Sequence, residues 1–279
     1  MGWQRRSRAR GTTLFLALTL ICAATAASGG DLKRDDLKQD DLKPVGVGSR
    51  EVWVGVDAGE HNWLVYSGAT YAPFGDIHAD GLRLRATTGY GNYDYRFDKD
   101  TAVKVEKTYA DALIGYQVRF GELTAKAFIG WALLNEAGTT SKGFRATRLS
   151  DGIKGAVELW LNVGPNAWTS LDLNYADTRD VWSFRSRAGY RVLPTVSVGI
   201  EGIFNHASLN GQIQINKDAP ELLGNSRAGA FARYEWFGGE ISASAGLSGD
   251  MLQSRTDSSK IDLLHRPSAY GTLNFIVQF

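Results

Sequence analysis

Alternation between apolar and polar side chains dominates this chain from residue 50 to its end. In residues 122–134 the apolar positions are Leu123, Ala125, Ala127, Ile129, Trp131 and Leu133. Residues 195–206 and 239–250 repeat the pattern. Because successive side chains of a strand point to opposite faces, the pattern indicates strands with one apolar and one polar face. No stretch after residue 49 holds 18 uninterrupted apolar residues, which excludes a helical membrane protein.

The spacing of these segments predicts an all-β fold, an antiparallel transmembrane barrel of about 12 strands, with roughly 10–14 possible. The predicted strands lie near 52–58, 62–73, 81–97, 103–120, 122–134, 151–163, 167–177, 181–193, 195–206, 226–237, 239–250 and 268–279. Every second connection is short, whereas the others include the long polar runs 135–151, 206–226 and 248–267. Short turns at one rim and long loops at the other are typical of bacterial outer-membrane barrels.

A soluble β-sandwich is the alternative that this alternation leaves open. Two features favour the barrel. Aromatic side chains, which prefer the membrane interface, recur near strand ends: Trp63, Tyr71, Tyr90, Tyr116, Trp131, Trp168, Trp182, Trp236 and Phe237. The last strand can also pair with the first, which removes the sheet edges that lipid does not tolerate. We therefore expect the chain in the bacterial outer membrane, in contact with its lipid.

The first 49 residues differ from the rest. Residues 1–26 have a basic start, a short apolar run and the Ala24-Thr25-Ala26 cleavage pattern of a signal peptide. Cys22, the only cysteine, lies in that run; lipidation there is the alternative to an ordinary apolar residue. Residues 27–49 carry D-L-K repeats and predict a charged flexible linker, or a segment that binds a periplasmic partner. The barrel domain is then 50–279.

The polar face of the strands carries charges at mid-strand, which predicts a charged barrel lumen. The candidates are Arg83, Arg85, Asp111, Lys126, Lys154, Glu158, Asp172, Arg185, Arg187, Glu201, Arg233 and Glu235. They could form a self-neutralising network of ion pairs, or a pore in which Arg83/Arg85 and Arg185/Arg187 make a positive track. Few aromatic residues are expected in this lumen: Tyr93, Phe128, Trp160 and Phe231.

Signals for chemistry are weak. The four histidines form no metal-binding motif, and only His206 with Ser208, or His265 with Ser268, could serve a loop-based hydrolase. We therefore predict no enzyme, no metal and no cofactor. A net charge of +1 argues against binding nucleic acid. Phe275, Val277 and Phe279 alternate up to a terminal aromatic residue, which resembles the signal read by the barrel-assembly machinery.

Residues 66–97 resemble the cellulose biosynthesis protein BcsS family of alphaproteobacteria. The matching residues are Tyr71, Ala72, Pro73, Phe74, Gly75, Asp80, Gly81, Arg83, Leu84, Arg85, Gly89, Tyr90, Gly91 and Tyr93. Pro73 and Gly75 suit a tight turn, so this stretch is expected to be a periplasmic hairpin. The resemblance implies an accessory role in the biosynthesis, export or surface retention of cellulose, with cellulose or its secretion complex as partner. A general small-solute porin is the alternative.

Overall fold

The computed structural model describes residues 48–60, 62–98, 101–208, 222–249 and 268–279. These residues form twelve β-strands and one 3₁₀ turn at Asp177–Arg179. The strands are β1 (Arg50–Gly59), β2 (Asn62–Tyr71), β3 (Gly81–Asp98), β4 (Thr101–Phe120), β5 (Leu123–Thr140), β6 (Arg145–Val163), β7 (Ala167–Ala176), β8 (Val181–Leu193), β9 (Val196–Ser208), β10 (Leu222–Trp236), β11 (Gly239–Gly249) and β12 (Ser268–Gln278). The predicted signal segment lies outside the described residues, as does nearly all of the predicted linker.

Every strand pairs antiparallel with its neighbour in sequence, and β1 pairs with β12, so the sheet closes into a barrel. The closing seam runs from Glu51 opposite Gln278 to Gly59 opposite Tyr270. At its end the backbones of Arg50 and Phe279 exchange two hydrogen bonds of 2.9 Å. The predicted antiparallel barrel of about 12 strands is confirmed, and closure leaves no unpaired edge strand.

The alternation in the sequence separates the two faces of the barrel wall. Ile129 and Ile200 point outward and are 60% and 68% exposed, whereas their sequence neighbours Phe128 and Glu201 point inward and are 5% and 4% exposed. This inversion, with large apolar side chains outside and charges inside, is the arrangement of a barrel surrounded by lipid. No helix among the described residues is long and apolar enough to cross a bilayer.

The start of β1, the C-terminal residue Phe279 and the turns β2–β3, β4–β5, β6–β7, β8–β9 and β10–β11 share one end of the barrel, which we call the terminal rim. The opposite end is the loop rim. Gly121, Gly164 and Gly238 adopt positive φ in three terminal-rim turns, where a side chain would be strained. At the loop rim, two of the predicted long connections have their central parts, residues 209–221 and 250–267, outside the described residues.

The third predicted loop, 135–151, is wrong. The ladder between β5 and β6 continues through Asn135–Leu149 and Gly138–Ala146, so only residues 141–144 connect the two strands. Its polar composition suggested a loop, but its side chains still alternate. Leu149 is 73% exposed on the outer face, while Glu136 is 6% exposed on the inner one. The four strands β3 to β6, of 18 to 20 residues, are therefore the longest of the barrel.

Candidate functional site in the barrel lumen

A cavity of about 1530 Å³ lies inside the barrel. His78 and Gln278 line it at the terminal rim, and Ser248 and Ser268 line it at the loop rim. The same cavity therefore reaches residues of both rims. Its wall consists mainly of the inward side chains of the strands, to which the β2–β3 turn adds Ile77 and His78 and the 3₁₀ turn adds Thr178.

The structure places the sequence-predicted lumen residues on this inner wall in three ways. Ten line the cavity: Arg85, Asp111, Lys126, Lys154, Glu158, Asp172, Arg185, Arg187, Arg233 and Glu235. Glu201 is also inside but is covered by its partners, Arg185 at 2.6 Å and Tyr270 at 3.0 Å. Arg83 is buried, and its guanidinium lies against the β2–β3 turn rather than against the cavity.

Most of these charges neutralise one another. Arg85 on β3 bonds both carboxylate oxygens of Glu158 on β6, three strands away in the barrel. Lys154 approaches Asp111 to 2.6 Å. Arg233 pairs with Glu235 at 2.7 Å. The first two pairs join strands that are not neighbours and so tie opposite parts of the lumen wall together, whereas Arg233 and Glu235 both lie on β10.

Sequence reasoning missed a further lumen pair, Arg227 with Asp57 at 2.5 Å. It links β10 to β1, three strands away around the barrel. The signal was present, because Arg227 has the same alternation phase as Arg233, and Asp57 the same phase as Trp53. Glu240, which also bonds Arg233, was missed as well.

The positive track that the sequence suggested does not form. Arg83 bonds the β2–β3 turn, Arg85 forms an ion pair with Glu158, and Arg185 forms one with Glu201. Among the described residues, only Arg187 of these four has neither a carboxylate partner nor a bond to a turn. The sequence shows which residues face inward, but the partner across the lumen depends on barrel closure.

The hairpin at residues 66–97 ends in a turn, residues 72–80, that is held against the terminal rim. Arg83 donates to the carbonyl oxygens of Asp76 at 3.2 Å and Ile77 at 3.0 Å, and to that of Ala79. Gln117 also donates to Ala79, at 3.1 Å. Ile77 is 3% exposed, so this turn packs inward instead of projecting from the rim.

The remaining motif residues flank this packed turn. Asp80 accepts a hydrogen bond from the backbone N–H of Arg119 at 2.8 Å. Gly81 has φ +146°, which favours glycine. Phe74, beside Pro73 and Gly75, is 87% exposed, and Tyr71 is exposed on the outer face. The backbone N–H groups of Ala72 and Ile77 donate to the carbonyls of Ser49 and Gly48, so the end of the predicted linker is bonded to the turn.

The lumen holds more aromatic side chains than the sequence predicted. Five aromatic side chains in the terminal half of the lumen contact arginine side chains: Trp53, Phe128, Trp160, Trp168 and Phe231. We call them the lumen aromatic cluster. Tyr66, Tyr109 and Tyr270 add further rings inside. The expectation of few lumen aromatics is therefore wrong.

Trp168 is the clearest correction. The sequence placed it at the membrane interface, yet it is 1% exposed, it stacks on Trp160 with 4.2 Å between ring centroids, and it lies 5.4 Å from Phe231. Its Nε1 donates to Ser197 Oγ at 3.3 Å. Trp168 has the same alternation phase as Asp172, which would have placed it inside. Closeness to the strand end was the weaker signal.

The histidines give no catalytic arrangement among the described residues. His78 Nε2 lies 3.1 Å from Gln278 Oε1. His265 is outside the described residues, and of His206 only the backbone is described, so the hydrolase alternative stays a prediction. Ser268 Oγ lies 3.1 Å from Ser248 Oγ. No group of three His, Cys, Asp or Glu side chains in the described part could hold a metal ion.

The predicted assembly residues lie on the outer face of the closing strand. Phe275 and Phe279 are 40% and 38% exposed, and Val277 shares their face. Phe275 contacts Trp236 with ring centroids 5.6 Å apart. Their recognition by the barrel-assembly machinery stays a prediction.

A family model for cellulose biosynthesis protein BcsS matches residues 52–279. Solved structures with a similar fold include the KdgM porin, at 8% identity over 82% of this chain and 99% of that one, with a TM-score of 0.46. The translocator domain of the autotransporter NalP from Neisseria meningitidis is 13% identical over 96% and 98% of the two chains, with a TM-score of 0.47. The transport unit of AIDA-I from Escherichia coli is 12% identical over 98% and 100%, with a TM-score of 0.47. No curated protein sequence matches this chain.

Proposed function

Because the chain belongs to the cellulose biosynthesis protein BcsS family, we propose that it is a bacterial outer-membrane barrel that assists the export or surface retention of cellulose. In this proposal the barrel is not an enzyme and needs no cofactor. Its partners are the membrane lipid and either cellulose itself or the cellulose-secretion complex.

The observation that carries the proposal is a cavity lined by residues of both rims, whose wall combines aromatic rings with hydrogen-bonding groups. A cellulose chain is uncharged, so its contacts are made by aromatic faces and by donors and acceptors instead of by net charge. The lumen aromatic cluster supplies the rings. The paired charges leave little net field, which suits a neutral chain better than an ion.

Deletion of the gene, followed by a dye-binding assay for cellulose on the cell surface, tests the proposal. We expect surface-bound dye to fall and to be restored by the full chain. The assay is run beside a measurement of total cellulose, because a loss of surface dye with unchanged total cellulose indicates retention, and a loss of both indicates export. Unchanged dye binding, under conditions in which the parent strain makes cellulose, would refute the proposal.

A general small-solute porin is the second candidate, and the extent of the cavity between the rims favours it. This function predicts steady conductance in planar bilayers together with unchanged cellulose in the deletion strain. The two measurements separate the candidates, because only cellulose assistance predicts a loss of cellulose.

A further inference from the structure

Strand pairing brings four inward side chains together on the wall formed by β6, β7 and β8. Trp160 lies directly opposite Ser170, and Ser170 lies directly opposite Arg187. Asp172 is the next inward residue of β7 after Ser170. We call Trp160, Ser170, Asp172 and Arg187 the wall patch; all four line the cavity.

The polar members of this wall patch lack the partners that the other lumen charges have. Among the described residues, Asp172 makes no ion pair or hydrogen bond, and Arg187 contacts only the rings of Trp168 and Phe231, each 5.9 Å away. Ser170 is 5% exposed, and neither its Oγ nor Nε of Arg187 has a hydrogen-bond partner in the described part of the chain. An unsatisfied buried polar group costs about 1–3 kcal/mol, so a ligand that bonds Ser170 Oγ and Arg187 Nε would be favoured.

The carboxylate of Asp172 is further destabilised by a like-charged neighbour, Glu158. Glu158 lies directly opposite it across the β6–β7 ladder, and like charges in that relation destabilise a sheet. Glu158 is neutralised by Arg85, and Lys126 lies 3.8 Å away, but neither cation bonds Asp172. On the other side Arg185 lies directly opposite Asp172 across the β7–β8 ladder, but its ion pair is made with Glu201. The Asp172 carboxylate therefore lies among cations without an ion pair of its own among the described residues.

Trp160 gives the wall patch an apolar surface of fixed orientation. Its ring stacks on that of Trp168 at 19°, its Nε1 donates to Asn162 at 3.3 Å, and Arg233 lies 4.7 Å from its centroid. Because Trp168 is fully buried behind it, Trp160 has little freedom to move. It is only partly buried and borders the cavity.

We propose that the wall patch is a subsite for one glucosyl unit of a neutral β-glucan in the lumen. A pyranose ring offers an apolar C–H face to an aromatic ring and hydroxyl groups at its edge. Asp172 would accept from these hydroxyls, Arg187 would donate to them, and Ser170 could do either. The Asp172 carboxylate repels anions and the Arg187 guanidinium repels cations, so together they favour a neutral ligand. The proposal rests on the cellulose-related function above and names its ligand.

Calorimetric titration of the purified full chain in detergent with cellohexaose tests the subsite. We expect saturable binding that weakens at least tenfold in Asp172→Asn, Arg187→Gln and Trp160→Leu. Arg119→Gln is the matched control, because Arg119 also lines the cavity but lies on β4, not on the strands that carry the wall patch. Its binding should stay within twofold of that of the parent. Electrophoretic mobility with and without heating shows whether each variant has folded.

Three results would overturn the subsite: no binding of cellohexaose by the folded parent, equal binding by Asp172→Asn and the parent, or binding of hexagalacturonate in place of cellohexaose. The last result would indicate a site for anionic sugars. These failures differ from failure of the proposed function. If deletion lowers surface cellulose and Asp172→Asn with Arg187→Gln restores it fully, the function stands and the subsite does not.

Discussion

Replacing Arg83 by alanine should release the β2–β3 turn while leaving the barrel closed. Arg83 is 2% exposed, and its guanidinium donates to three carbonyl oxygens of the turn, at Asp76, Ile77 and Ala79. Asp76 and Ala79 keep another donor, from the backbone of Ala79 and from Gln117, so only the carbonyl of Ile77 is left without one.

The size of the effect follows from these bonds. A hydrogen bond to a charged group contributes about 1.5–3 kcal/mol, and two of the three carbonyls retain a partner, so we expect a loss of about 3 kcal/mol in the free energy that keeps the turn closed. Because each 1.4 kcal/mol is a factor of ten, opening should become roughly 150-fold more frequent.

Maleimide labelling of a buried cysteine measures that opening. Ile77→Cys places a thiol at a position 3% exposed, in a background in which the only natural cysteine is replaced by Cys22→Ser. We expect labelling to accelerate roughly 150-fold when Arg83→Ala is added. Arg119→Ala is the matched control, since Arg119 lies at the same rim but contributes only its backbone N–H to the turn. Labelling within twofold of the parent in Arg83→Ala would refute the reasoning.

Substitutions at three further positions test the wall and the lumen by urea unfolding of the barrel in liposomes. Ile129→Arg should cost about 2–4 kcal/mol if this outward side chain meets lipid; no loss would contradict membrane embedding. Gly189→Leu should cost about 3 kcal/mol, because its Cβ would overlap the ring of Trp168, and an unchanged unfolding midpoint would mean that the ring is not fixed there. Glu158→Ala should cost about 2–3 kcal/mol by leaving Arg85 unpaired. This is less than for a fully buried pair, because the Glu158 side chain is 28% exposed. Glu158→Gln should cost less than Glu158→Ala, and equal losses would argue against an ionic origin.

Much of the wall could be predicted from the sequence because alternation is a local property. A few neighbouring residues are enough to predict that Lys126 faces inward and that Ile129 and Phe275 face outward. Residues 135–151 show the limit of composition as a guide, because their polar side chains suggested a loop while their alternation continued the strands. Trp168 shows the same limit, since its phase placed it inside although its position near a strand end suggested the interface.

Contacts across the lumen depended on tertiary structure alone. Arg85 meets Glu158 three strands away, and Arg227 meets Asp57 across the seam, because closure of the barrel brings distant strands within reach. The sequence carries no local sign of such pairs. It therefore determined which residues face the lumen. Only the closed barrel decided which of them form ion pairs and which, such as Asp172, form none among the described residues.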